Sequence, residues 1–119
     1  MSRTITAFVD DMFFAAKIRT TAEALKVEII FPRNSDVLMT KLDGQKPDLI
    51  LVDLHNQKAD PIEFARQLKA KKEFAGVRLL GFFSHVQIDL RRAALEAGYD
   101  QVIPRSVFSR DLAQILSGP

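Results

Sequence analysis

Polar and apolar residues follow two rhythms along this chain. Between Pro47 and Asp53, four consecutive aliphatic residues, Leu49 to Val52, lie between two aspartates. A run that short, bounded by proline and lacking a polar stripe, predicts a strand buried on both faces. Thr4 to Val9 mixes β-branched and apolar residues and predicts a first strand, ending in Asp10-Asp11. Phe14, Ile18, Ala22 and Leu25 then recur at helical spacing, with Lys17, Arg19 and Glu23 between them. Val27 to Phe31 predicts a second strand, closed by Pro32. Asn34 is placed to cap a short helix carrying Leu38 and Leu42, which Gly44 and Pro47 end.

Beyond the central strand, Asp60-Pro61-Ile62-Glu63 reads as an N-cap, a proline at the first helical position and a capping-box glutamate. That helix presents Phe64, Ala65 and Leu68, and its basic end at Lys69, Lys71 and Lys72 reads as a solvated last turn suited to the helix dipole. Val77 to Phe83 predicts a fourth strand, in which alternation puts at least one of Phe82 and Phe83 inside. Ser84 and Gln87 form a second capping-box pair, before a helix running to Gly98. Gln101 to Ile103 predicts a fifth strand, and Ser106 is placed to cap a last helix striped by Phe108, Leu112, Ile115 and Leu116. Five strands alternating with five helices, with no repeat or long linker, predict one α/β domain over residues 1–119. Its parallel sheet is doubly wound, (βα)5, with strand order 2-1-3-4-5.

Composition adds mainly exclusions. The 119 residues suffice for one hydrophobic core and are too few for two. Seventeen basic against fifteen acidic residues are too balanced to imply nucleic acid. The absence of cysteine removes disulfides, thiolate metal sites and thiol catalysis. No apolar run reaches membrane-spanning length and no signal-peptide pattern opens the chain, so a cytoplasmic protein is expected. With no acid–base pair and no glycine-rich nucleotide loop, an independent enzyme is not expected.

The candidate chemistry lies at the carboxyl ends of the strands, where Asp10, Asp11 and Asp53 are expected to meet at the switch point between the first and third strands. Carboxylates sharing a crevice repel unless a cation joins them, and an all-oxygen donor set favours Mg2+. The next strands end in Ser84, a hydroxyl, and Arg105, a fixed cationic fork. Carboxylates, metal, hydroxyl and cation together can hold a phosphoryl group. Plainer readings stand beside these. Asp10-Asp11 can end a strand and cap a helix, Ser84 can be only an N-cap, and Arg105 can be a solvated surface arginine. His55 and His85 read as loop-lining residues, and Arg91-Arg92 as a solvated face.

Along its whole length the sequence resembles the receiver domain of response regulators, of the single-domain chemotaxis-regulator type, a flavodoxin-like fold. The resemblance rests on Phe8-Val9-Asp10-Asp11, on Pro47 to Asp53, on Ser84, and on Ala97-Gly98-Tyr99-Asp100 leading to Arg105. It implies that Asp53 accepts a phosphoryl group from a sensor histidine kinase or phosphotransfer protein and thereby switches a downstream protein partner. It implies Mg2+ held by Asp11, Asp53 and the backbone carbonyl of His55, with Asp10 acting through water. Ser84 would bind the phosphoryl oxygen, and Arg105 stands where the family has lysine. The chain departs from the family in Arg105, in Ser106 after it, in Val102 at the position of the switching aromatic, and in His85. Those departures keep open a second reading, a pseudo-receiver that binds protein partners without phosphorylation.

Overall fold

The computed structural model describes residues 3–44, 46–56, 60–84 and 88–118, without the side chains of Ser35, Lys41 and Asp43. Five parallel strands, β1 (Thr4–Phe8), β2 (Glu28–Ile30), β3 (Leu49–Asp53), β4 (Arg78–Phe83) and β5 (Gln101–Pro104), form one sheet in the order β2-β1-β3-β4-β5. The helices between them are α1 (Met12–Ala24), α2 (Ser35–Gly44), α3 (Pro61–Ala70) and α4 (Ile88–Ala97), followed by α5 (Arg105–Arg110) and α6 (Leu112–Ser117). The expected strand order and fold class are both met.

β3 explains why the sheet is covered twice. All five of its residues are buried. Ile50 and Val52 pack into the layer shared with Phe8, Phe64 and Leu68. Leu49 and Leu51 point the other way, toward Phe14, Ile18 and Phe108. Alternation along a strand sends successive side chains to opposite faces, so a continuous aliphatic run needs helices on both sides. Phe82 and Phe83 divide in the same way, and both are buried.

Local chemistry sets the helix boundaries. Asn34 Oδ1 accepts from the Val37 amide at 2.9 Å, the cap expected for α2. Asp60 Oδ1 accepts from Ile62 and Glu63, with Pro61 at the first helical position. The reciprocal half of that box is replaced, because the Glu63 carboxylate turns to Gln67 and Arg66 instead. α1 ends at Ala24, so Leu25 leaves the expected stripe and is exposed, and Lys26 takes a positive φ of 58° to turn into β2.

Two expectations at the last helix are corrected. Ser106 is not its cap: helical geometry begins at Arg105, with Pro104 at the N-cap position and no side-chain cap bond. The helix also bends at Asp111 into two short pieces, although the Asp111 amide still bonds to the Val107 carbonyl. The apolar stripe survives the bend, with Phe108, Leu112 and Leu116 buried. Gln87 and His85 lie outside the described residues, and with them the capping box of Ser84 and the loop-lining reading of His85.

Gly98 closes α4 with φ +122°, where a side chain is strained, and a Cβ there would stand 2.6 Å from Lys69 Cγ. Gly98→Ala is expected to destabilise the fold by about 1–2 kcal/mol, read as a lower urea midpoint at unchanged slope. An unchanged midpoint would mean that the α4–β5 turn tolerates another backbone conformation.

Candidate functional site

The switch point lies between β1 and β3, which pair from Ile5 with Leu49 to Phe8 with Val52. Asp53 ends β3, and Asp10 and Asp11 follow β1 after the single residue Val9, so the three carboxylates lie toward one edge of the sheet. Asp53 is only 7% exposed. Its Oδ1 accepts from the His55 amide at 2.9 Å. Burial pushes the Asp53 carboxyl above its ordinary range, and the negative charge of Asp10 adds to that. The His55 amide bond, the charge on His55 and the Arg105 guanidinium pull the other way without cancelling the rise.

Asp11 is engaged on both sides. Oδ1 caps α1 by accepting from the Phe13 and Phe14 amides at 2.9 and 3.0 Å. Oδ2 accepts from Arg105 at 2.9 Å. The Phe14 amide first, and then Arg105, hold this carboxyl below the usual carboxylate range. The plain and the chemical readings of Asp11 therefore converge on one carboxylate, which is a cap and also a partner of the strand-edge cation. The guanidinium lies 4.0 Å above the Phe14 ring, within cation–π distance. Phe14 in turn packs on Phe82 and Phe108, whose rings stack at 4.5 Å and 8°. An aromatic column thus rises from the core and carries Arg105 at its top.

Ser84 follows β4 at the same edge, two residues beyond the level at which Phe82 pairs with Asp53, and it is exposed. Val102 is buried beside Gly81 in β5. Two participants escape a reading of the sequence. Asn56, 7% exposed, donates its backbone amide to the Asp53 carbonyl at 3.0 Å and its side-chain nitrogen toward the Phe8 carbonyl at 3.4 Å, tying the β3 loop to β1. Phe14 reads in the sequence only as one member of a helical stripe. Nothing in a single chain marks either one, since both roles depend on what lies across the crevice.

For a cation, the donor set is chemically suitable, being carboxylates and a backbone carbonyl with no soft ligand. Among the described residues, however, no three His, Asp or Glu side chains stand close enough together to hold an ion as placed. Arg105 occupies the Asp11 oxygen that α1 leaves open.

No protein-family model and no curated protein matches the chain. Solved structures do. The signal receiver domain of a DNA-binding response regulator from Colwellia psychrerythraea superposes with a TM-score of 0.82 at 17% identity, covering 98% of this chain and 99% of that one. A CheY-like receiver domain protein from Methanospirillum hungatei gives 0.82 at 20% identity, over 98% and 92%. The fold is that of a response-regulator receiver domain. The Mn2+-bound form of the response regulator Rcp1 shares this receiver fold, with a TM-score of 0.74 at 23% identity, over 98% and 90%. Among the described residues no helix is long and apolar enough to cross a membrane.

Proposed function

We propose that this chain is a non-enzymatic receiver module of two-component signalling, in which Asp53 accepts a phosphoryl group from a histidine kinase or phosphotransfer protein. The observation that carries this reading is the setting of Asp53, a buried carboxylate at the switch point of a receiver fold with Asp10 and Arg105 acting on it electrostatically. A carboxylate oxygen would form the new bond to phosphorus as the bond from phosphorus to imidazole nitrogen breaks, the nitrogen leaving with the electron pair. His55 orients the nucleophile through its amide bond to Oδ1. Ser84 and Arg105 are assigned to the phosphoryl oxygens, the arginine by turning away from Asp11. Mg2+, held by Asp11, Asp53 and the His55 carbonyl with Asp10 behind it, would neutralise charge gathering on those oxygens. A protein partner fits the rim of the site, where Met12 and Phe13, 84% and 92% exposed, follow the acidic pair.

Arg105 makes this reading testable, because it and a metal ion compete for Asp11. Arg105→Ala is expected to raise Mg2+ affinity several-fold, because it frees the Asp11 oxygen that the guanidinium holds. The same variant should weaken binding of beryllofluoride, a phosphoryl mimic, which needs the cation. Amide NMR titrations of Mg2+ alone and of Mg2+ with beryllofluoride measure both. Parallel loss of the two ligands would mean a folding defect, and unchanged Mg2+ affinity would sink the competition.

The saturated state of Asp11 favours a second reading, in which Arg105 is a permanent internal cation and the module binds its partner without phosphorylation. Wild-type protein that takes up neither Mg2+ nor beryllofluoride would establish that reading instead.

A further inference from the structure

A second concavity lies at the opposite edge of the sheet from Asp53. Leu49, Arg78 and Gln101, the first residues of β3, β4 and β5, line it together with residues of α5 and α6, and it encloses about 290 Å3. Its apolar surface is aliphatic, made by Leu49, Leu80, Ile103, Val107 and Ile115. Two arginines, Arg3 and Arg78, stand at it, with Asp111 as the acidic side chain of its lining. That acid is already engaged. Arg110 grips Asp111 through two bonds of 3.0 Å and holds its carboxyl below the usual range. Among the described residues Arg78 donates to a neutral acceptor, Gln101 Oε1, at 3.3 Å, and to no carboxylate.

Arg3 is the sharper observation. Its Nε is buried and has no hydrogen-bond partner. A buried guanidinium N–H without an acceptor is costly, and with Nε shut off from solvent the two terminal nitrogens, unpartnered among the described residues, are the donors left to an acceptor from outside the chain. The guanidinium is also held in place, since it packs so closely on Gly118 that a Cβ there would collide with it. A cation with little freedom left to lose is prepared for a planar anion, which it can bind through two parallel N–H bonds.

We propose that this cavity binds a small carboxylate with a compact apolar body. The carboxylate sits on Arg3, with Arg78 beside it, and the body rests on the aliphatic floor. The volume is close to the lower limit for small-molecule sites, roughly 300 Å3. An inorganic anion would leave the aliphatic surface unused, so the class is an organic acid. None of the residues assigned to phosphoryl chemistry takes part, and this site stands or falls independently of that reading.

The test is an amide NMR titration of the full chain with benzoate, with neutral benzamide and inorganic phosphate as comparisons. Benzoate should give saturable shifts at Leu80, Ile103, Val107 and Ile115, and do so equally in Asp53→Asn. Benzamide should not saturate, and phosphate should bind at least about tenfold more weakly. Arg3→Met and Arg78→Met should each weaken benzoate about tenfold, the usual effect of losing a charged hydrogen bond. Arg3→Lys keeps the charge and lacks the planar fork, so it should weaken binding too while keeping the fold. The proposal is overturned if benzoate fails to saturate, if it shifts residues elsewhere, if benzamide or phosphate matches it, or if Arg3→Lys binds as the wild type does.

Discussion

Asp53→Asn should abolish phosphoryl uptake and at the same time make the protein harder to unfold. The first effect follows from the proposed role, because an amide is no nucleophile toward a phosphoryl donor. Mass spectrometry after incubation with a small phosphoryl donor and Mg2+ should find one added phosphoryl group on the wild type and none on the variant. The second effect follows from burial, which raises the Asp53 carboxyl above its ordinary range, so the folded state binds this proton more tightly than the unfolded state does. Stability then falls as pH rises through the interval between the ordinary and the raised value, and the deficit persists at neutral pH. Asparagine keeps the acceptor for the His55 amide and removes the charge, so the melting temperature at pH 7 should rise by a few degrees, about 4 °C for each kcal/mol regained. Below that interval wild type and variant should converge. Asp11 works in the opposite direction: its lowered value adds stability above the ordinary range, which is lost as pH falls through the lowered one. A variant that melts below the wild type at neutral pH would show that Asp53 is stabilised by contacts that outweigh its burial.

Phe108→Ala should cost about 3–5 kcal/mol, the usual effect of truncating a fully buried phenylalanine. Phe108 has no exposed surface and stacks on Phe82 at 4.5 Å, with Phe14 at 5.6 Å. That is a large fraction of the roughly 5–15 kcal/mol that holds a domain of this kind folded. Urea unfolding should show a much lower midpoint with little change in slope. The loss should reach the site as well, because Phe14 bears on Phe108 from one side and on Arg105 from the other. Phe108→Leu keeps more volume and should cost less than half as much. Equal losses for the two variants would mean that the aromatic stacking, rather than the volume filled, carries the column.

The sheet and its order were legible in the chain, because β3 is a short aliphatic run with no polar face and only a doubly covered parallel strand can bury it. The caps at Asn34 and Asp60 were legible for a related reason: a side chain bonding amides two and three residues ahead is a local event. That Asp10, Asp11 and Asp53 lie toward the same edge of the sheet follows from strand order, whereas the finding that no three acidic side chains among the described residues stand close enough there to hold an ion does not. Only the tertiary structure decided what Arg105 does. Its partner Asp11 is ninety-four residues away, and its support is an aromatic column built from α1, β4 and α5. Tertiary packing likewise decided that Asn56 ties β3 to β1 and that the guanidinium of Arg3 is trapped against Gly118. Hydrophobic period and capping report on neighbours along the chain. A charge or polar group is positioned by whatever the folded chain brings across from it, and no local pattern records that.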